Sequence, residues 1–207
     1  MKQPSIVIID YGLGNIFSVY KALKKLGYDQ VKVSRNSLDI KKADYLILPG
    51  VGAFNHCVKN LKKYNLIEIL NENVIGNSKP ILGICVGMQL MADFSEENGK
   101  HQGLGWIPGK VVKLNVSSET AIPHVGWNNI LIKKDKNLFK KNQNEPHFYF
   151  DHSYQYLCKE NFIIACCKYE INITAAINLN NIYGVQFHPE KSQNNGLKLF
   201  RSFLSYY

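Results

Sequence analysis

The period of the apolar positions changes along the chain. Ser5-Ile6-Val7-Ile8-Ile9 is a continuous apolar run closed by Asp10, which reads as a strand buried on both faces. Gly12-Leu13-Gly14-Asn15 follows as a turn. Ile16, Val19, Leu23 and Leu26 then recur at helical spacing over 15–26, up to a stop at Gly27. Short strands are expected at 31–33 and 44–48, the second running into Pro49-Gly50. A helix to about Leu70, a strand at 80–84 and a helix from about residue 86 complete the first half. Apolar strands alternating with helices predict a parallel sheet covered on both faces.

The second half changes character. Residues 110–114, 126–132, 147–151, 162–168, 174–178 and 182–187 are all strand-like, and a final helix runs from about Gln193 to Phe203. The expectation is one α/β domain over residues 1–207. Its mainly parallel central sheet is flanked by helices, with additional antiparallel strands in the C-terminal half. Ligands of such folds bind beyond the carboxyl ends of the strands, where the motifs below fall.

Composition narrows the function classes. Of 207 residues, 45% are hydrophobic and 20% charged, the balance of a folded chain. No apolar run approaches the roughly 20 residues of a membrane span, and the first run is too short for a signal sequence, so the cytoplasm is the expected compartment. The net charge of +9 is nearly all lysine, Arg35 and Arg201 being the only arginines. It is scattered as Lys24-Lys25, Lys41-Lys42, Lys62-Lys63, Lys133-Lys134 and Lys140-Lys141. A nucleic-acid binder concentrates charge in one stripe, so no nucleic-acid partner is expected. Five cysteines with no C-x-x-C fit neither a disulfide framework nor a zinc knuckle. Gly12-Leu13-Gly14 lacks the third glycine of a dinucleotide fingerprint. No cofactor or metal is expected.

Gly83-Ile84-Cys85-Val86-Gly87 follows the strand Ile81-Leu82 and opens Met88-Gln89-Leu90-Met91. Strand, sharp turn and helix are the setting of a nucleophile elbow. A thiol there faces a helix N-terminus, which favours the thiolate, and the Val86 N–H is placed to donate to an oxyanion. Far downstream, Gly184-Val185-Gln186-Phe187-His188-Pro189-Glu190 leaves an apolar strand. In an extended segment residues i and i+2 share a side, so Glu190 can orient His188 as a base for the cysteine. Taken singly, each motif also describes a buried cysteine in a turn or a loop histidine beside an acid. An α/β-hydrolase would place its acid before its histidine; the order here disfavours that fold.

These residues carry a family resemblance. The elbow cysteine with His-Pro-Glu resembles the class I (triad) glutamine amidotransferases. Leu48-Pro49-Gly50-Val51-Gly52-Ala53-Phe54, Pro123-His124-Val125-Gly126-Trp127-Asn128, His152-Ser153-Tyr154 and Gly184 to Ser192 narrow it to a likeness with the glutaminase subunits of imidazole glycerol phosphate synthase. The resemblance runs from Asp10 to the C-terminus and implies a flavodoxin-like fold. It implies that Cys85 attacks the carboxamide of L-glutamine, that His188 shuttles the proton and that Glu190 holds the imidazole. The oxyanion would meet Val86 and backbone N–H groups of Val51 and Gly52. Gly50, Gln89, Ser153 and Tyr154 match glutamine-binding positions. Asn15, Trp127 and Lys191 match positions near the interface and the ammonia passage. The implied partner is a (β/α)8-barrel cyclase subunit, bound as a heterodimer over the barrel's N-terminal face.

Some positions depart from the family pattern. Val86 stands for Leu, Val125 for Met, Asp151 for an apolar residue and Glu170 for Gly. Trp106 is associated more with paralogues that feed ammonia to a sugar-modifying partner. That pathway is the alternative, and a catalytically silent subunit is the alternative of another class.

Overall fold

The computed structural model describes residues 3–134, 138–139 and 146–205; the pair Lys140-Lys141 lies outside them. β1 (Ile6–Ile9), α1 (Ile16–Lys25), β2 (Val31–Ser34), α2 (Ser37–Lys42), β3 (Tyr45–Gly50), α3 (Phe54–Lys63), α4 (Leu66–Asn71), β4 (Ile81–Cys85) and α5 (Val86–Gln89) make the alternating first half. β5 (Phe94–Ser95), β6 (His101–Gln102), β7 (Gly109–Lys113), β8 (His124–Ile132), β9 (His147–His152) and β10 (Tyr154–Cys158) follow. β11 (Ile163–Tyr169), β12 (Ile171–Leu179), β13 (Ile182–Val185) and α6 (Gln193–Leu204) end the chain.

Among the described residues nine strands form one sheet in the order β2-β1-β3-β4-β13-β12-β11-β8-β9. The pairs from β2 through β13 are parallel and those from β13 to β9 antiparallel. β1, β3, β4 and β13 are buried along their whole length, as continuous apolar runs require. Edge strand β2 is half exposed. The last strand, β13, sits in the middle of the sheet, between β4 and β12. α1 buries Val19, Ala22 and Leu23 and places Lys24 and Lys25 in its last turn, where they complement the helix dipole. Phe54, Phe148, Phe150, Phe187, Phe200 and Phe203 fill the rest of one contiguous core.

The structure departs from the pattern reading in four places. The stretch expected as one helix to Leu70 breaks at Asn65, in the left-handed region at φ 52°, and α4 continues into a π-turn at Glu72–Gly76. The helix expected from residue 86 is a single turn, α5. α2 forms where none was expected because Asn36 caps it, accepting the Leu38 N–H at 2.8 Å. A second sheet, β10-β7-β5-β6, joins the expected strand β7 to the unexpected β10, β5 and β6; the last two have only two residues each, too short to show a period.

Candidate active site

Cys85 ends β4 with φ 55° and ψ −112°, a conformation that costs a non-glycine residue about 1–3 kcal/mol and is held only by surrounding structure. The clamp is close packing of α5 on β3. A Cβ on Gly87 would lie 1.8 Å from the Leu48 carbonyl oxygen, and one on Gly50 would lie 2.6 Å from the Gly87 nitrogen. Only glycine permits either approach.

Strand register brings the second motif to the first. Gly184 pairs with Gly83 and Val185 with Ile84, so the chain leaves β13 beside Cys85. His188 Nδ1 lies 2.7 Å from Glu190 Oε1, with both side chains buried. The backbone there is not the extended segment expected. Pro189–Lys191 forms a 3-10 turn, and that turn folds the carboxylate back onto the ring. Ser192 pins the turn by donating its hydroxyl to the His188 carbonyl at 2.6 Å. Burial opposes charge on His188, but the neighbouring Cys85 and Glu190 outweigh it and raise its pKa. With Nδ1 engaged by the carboxylate, Nε2 is the nitrogen left for the sulfur.

Asn15, expected near an interface, is drawn into this group: its Nδ2 donates to Glu190 Oε1 at 3.0 Å. The other oxygen, Oε2, is buried without a hydrogen-bond partner among the described residues. Asn15, Cys85, His188 and Lys191 share the wall of one cavity of about 400 Å³ with Val51, Gly52, Val86, Gln89, Ser153 and Tyr154. Gly50 is not on that wall; it pairs with Cys85 across the ladder and leaves room for α5. Gly52 has φ +86°, and the Val51 carbonyl accepts from Cys57 Sγ at 3.7 Å.

Trp127 is also off the cavity wall. It is 45% exposed and stands edge-on to Tyr149 with centroids 6.2 Å apart. Lys191 Nζ sits 5.1 Å from the centre of the Tyr149 ring and 3.8 Å from Asp151 Oδ2. The Asp151 carboxylate thus faces the lysine at the cavity rim, and its carbonyl lies 3.9 Å from Cys85 Sγ. Trp106 is buried and donates to Asn71 Oδ1 at 2.7 Å, a structural contact away from the cavity. Glu170, at φ 57°, receives Ser117 and Thr120 and ties down their loop.

Three cavity or near-cavity groups were given no role from the sequence. Glu97 reaches the cavity and accepts the Phe54 N–H at 2.8 Å. His152 lines the cavity and bonds His124 at 3.0 Å. Burial lowers both pKa values, to about 3 for His152 and about 4 for His124. Gln186 lies against the sulfur; its position two residues before His188 is the one signal that could have found it. Among the described residues no group of three His, Cys, Asp or Glu is placed to hold a metal, and no helix is long and apolar enough to cross a membrane.

The profile of the family described as "Glutamine amidotransferase class-I" matches residues 7–205, and the chain belongs to that family. Within the family its relatives are more specific. It is 47% identical over 201 residues to "Imidazole glycerol phosphate synthase subunit HisH 2" of Vibrio vulnificus, covering 97% of this chain and 94% of that protein. It is 45% identical over 199 residues to "Imidazole glycerol phosphate synthase subunit HisH 1" of Campylobacter jejuni, covering 96% and 98%. The fold is also that of the "Structure of PurLQS from Thermotoga maritima", with a TM-score of 0.75 at 18% identity over 99% of each chain.

Proposed function

We propose that this chain is the glutaminase subunit of an imidazole glycerol phosphate synthase, serving histidine biosynthesis, and that Cys85, His188 and Glu190 are its catalytic triad. The observation that carries the chemistry is the buried His188–Glu190 pair set beside a cysteine held at positive φ. The names of the relatives carry the pathway, and none of them favours a sugar-pathway paralogue.

Glutamine enters the cavity with its carboxamide at Cys85. The carboxylate of Glu97 on the cavity wall offers the charge that suits its α-ammonium group. The thiolate attacks the carboxamide carbon, and the oxygen gains charge that N–H groups of Val86 and of the Val51-Gly52 segment stabilise. His188 protonates the departing nitrogen, and ammonia leaves. The same histidine, now neutral, takes a proton from water, which cleaves the thioester and releases glutamate. Glu190 holds the imidazole tautomer throughout. Gln89, Ser153 and Tyr154 hold the substrate head group.

Ammonia released into water becomes ammonium and is lost as a nucleophile, so the glutaminase works docked on its partner in the cytoplasm. The partner is a (β/α)8-barrel cyclase subunit in a heterodimer. The exposed Trp127, with Tyr149 and Lys191 at the cavity rim, supports a docking face on that side, near Asn15.

The test is glutamate release by the purified chain, measured alone, with the cyclase subunit, and with that subunit plus its ribonucleotide substrate, each beside Cys85→Ala. Strong stimulation in the complete mixture, abolished in the variant, is expected. No stimulation by an active cyclase rejects the histidine pathway, and release that survives Cys85→Ala rejects the triad.

A further inference from the structure

The triad leaves one contact to the sulfur unused. Gln186 is fully buried just past β13, and its Nε2 lies 3.7 Å from Cys85 Sγ. Hydrogen-bond logic fixes which way this amide points. Gln89 Nε2 lies 3.2 Å from the Tyr154 carbonyl oxygen and 3.1 Å from Gln186 Oε1. A main-chain carbonyl only accepts, so the Gln89 atom facing it is the NH2 group. That same NH2 meets Gln186, which must answer with its oxygen, and so the NH2 of Gln186 faces the sulfur.

The anchor behind this arrangement is equally determined. His152 Nδ1 donates to the Tyr154 carbonyl at 2.8 Å. The ring is neutral, so its Nε2 is bare and accepts from His124 Nδ1 at 3.0 Å. His124 Nε2 then accepts from Asn128 Nδ2 at 3.3 Å, and that amide also donates to the Lys168 carbonyl at 2.9 Å. A chain of bonds of defined polarity therefore runs from β8 to the nucleophile. Flipping Gln186 alone would set its NH2 against the NH2 of Gln89, and flipping both amides would set the Gln89 oxygen against the Tyr154 carbonyl; either leaves buried groups unpaired.

We propose that Gln186 is a further catalytic residue, a neutral N–H donor that stabilises the anionic sulfur of Cys85. This rests on Cys85 being the nucleophile. A donor to sulfur strengthens when the sulfur is charged. It therefore holds the thiolate before attack, and receives the returning charge when water cleaves the carbon–sulfur bond of the thioester. The Asp151 carbonyl, 3.9 Å from the sulfur, acts in the opposite sense by accepting from the protonated thiol.

The test reads the sulfur without glutamine. Iodoacetamide labelling of Cys85 is followed by mass spectrometry at about pH 7 and about pH 10 in wild type, Gln186→Met and Gln186→Glu. The half-buried Cys158 and Cys166 serve as internal references. Gln186→Glu keeps the oxygen that faces Gln89 and adds a negative charge. His188, Cys57 and Tyr11, the titratable side chains coupled electrostatically to the sulfur, are the same in all three proteins. At neutral pH Cys85 labelling is expected to slow about threefold to tenfold in Gln186→Met, the worth of one hydrogen bond, and further in Gln186→Glu. At alkaline pH the three rates converge. kcat for glutamate release falls in step, while KM stays within about twofold.

Equal labelling at neutral pH in folded variants overturns the proposal. So does an equal fall at both pH values, or a failure of both variants to fold, which makes Gln186 a packing residue. Wild-type protein that keeps its activity after Cys85 is labelled overturns instead the reading of Cys85 as nucleophile.

Discussion

Glu190→Gln tests the proposed orienting carboxylate, because the shape is kept and the charge removed. Oε1 of Glu190 receives two donors, His188 Nδ1 and Asn15 Nδ2. The glutamine must therefore keep its oxygen there and place its NH2 where Oε2 now lies, buried and without a partner. Two costs follow. The imidazolium formed as the thiol is deprotonated loses a buried counter-charge. Breaking such a pair costs about 3–5 kcal/mol, of which the retained neutral hydrogen bond returns about 1 kcal/mol. At about 1.4 kcal/mol per decade, the remaining 2–4 kcal/mol lowers kcat roughly 30-fold to 1,000-fold. The unsatisfied NH2 costs about 1–3 kcal/mol of stability, or a Tm lowered by a few degrees. The assay is steady-state glutamate release with the partner present, with melting followed in parallel. KM is expected to stay near wild type, since the carboxylate faces the ring rather than the substrate. A kcat within about fivefold of wild type, or a loss confined to KM, would refute this account of the pair.

Three further outcomes follow from the same geometry. Asn15→Ala leaves Glu190 its histidine but removes one donor to a buried charge, so kcat falls about tenfold while KM is kept; an unchanged kcat places Asn15 outside the orienting group. Gly87→Ala forces a methyl to within 1.8 Å of the Leu48 carbonyl and is expected to lower stability by at least about 1–3 kcal/mol, read as a lowered urea midpoint. His152 and His124 have folded pKa values below the ordinary 6.5, so the unfolded chain binds more protons than the native one as the pH falls below about 6.5. Stability therefore declines on acidification toward about pH 4, by up to about 1.4 kcal/mol per pH unit for each ring. His188, raised instead, acts in the opposite window, its contribution being complete below 6.5 and lost as the pH climbs. Urea titrations from pH 8 to pH 4 read both signs, and flat stability between pH 6.5 and 4 would show that the two buried rings are not the neutral pair described.

The parallel core was legible because β1, β3 and β4 are apolar on both faces and need no pattern beyond a run. The nucleophile turn was legible because close packing on β3 leaves glycine as the one residue that fits at 87. What the sequence hid was what depends on contact at a distance. Asn15 and Glu190 meet although 175 residues apart, and nothing local to Asn15 announces it. His188 and Glu190 were expected to meet through extended spacing, yet they meet through a proline-led 3-10 turn, so the right neighbours came from the wrong backbone. Of the second sheet only β7 was expected; β5 and β6 escaped because two-residue strands carry no alternation, and α4 because a single left-handed asparagine separates it from α3.

The place of β13 sets the order in which the molecule can become active during synthesis. The thiol-bearing strand β4 is made early, but the strand that fills the gap beside it, and the histidine that follows, come from the last tenth or so of the chain. Until residues 182–185 insert between β4 and β12, β4 is an open parallel edge, the kind of surface on which chains pair wrongly. On the proposed triad, a nascent or truncated chain lacking that strand carries a cysteine without a base. On that reading it cannot hydrolyse glutamine before β13 is in place.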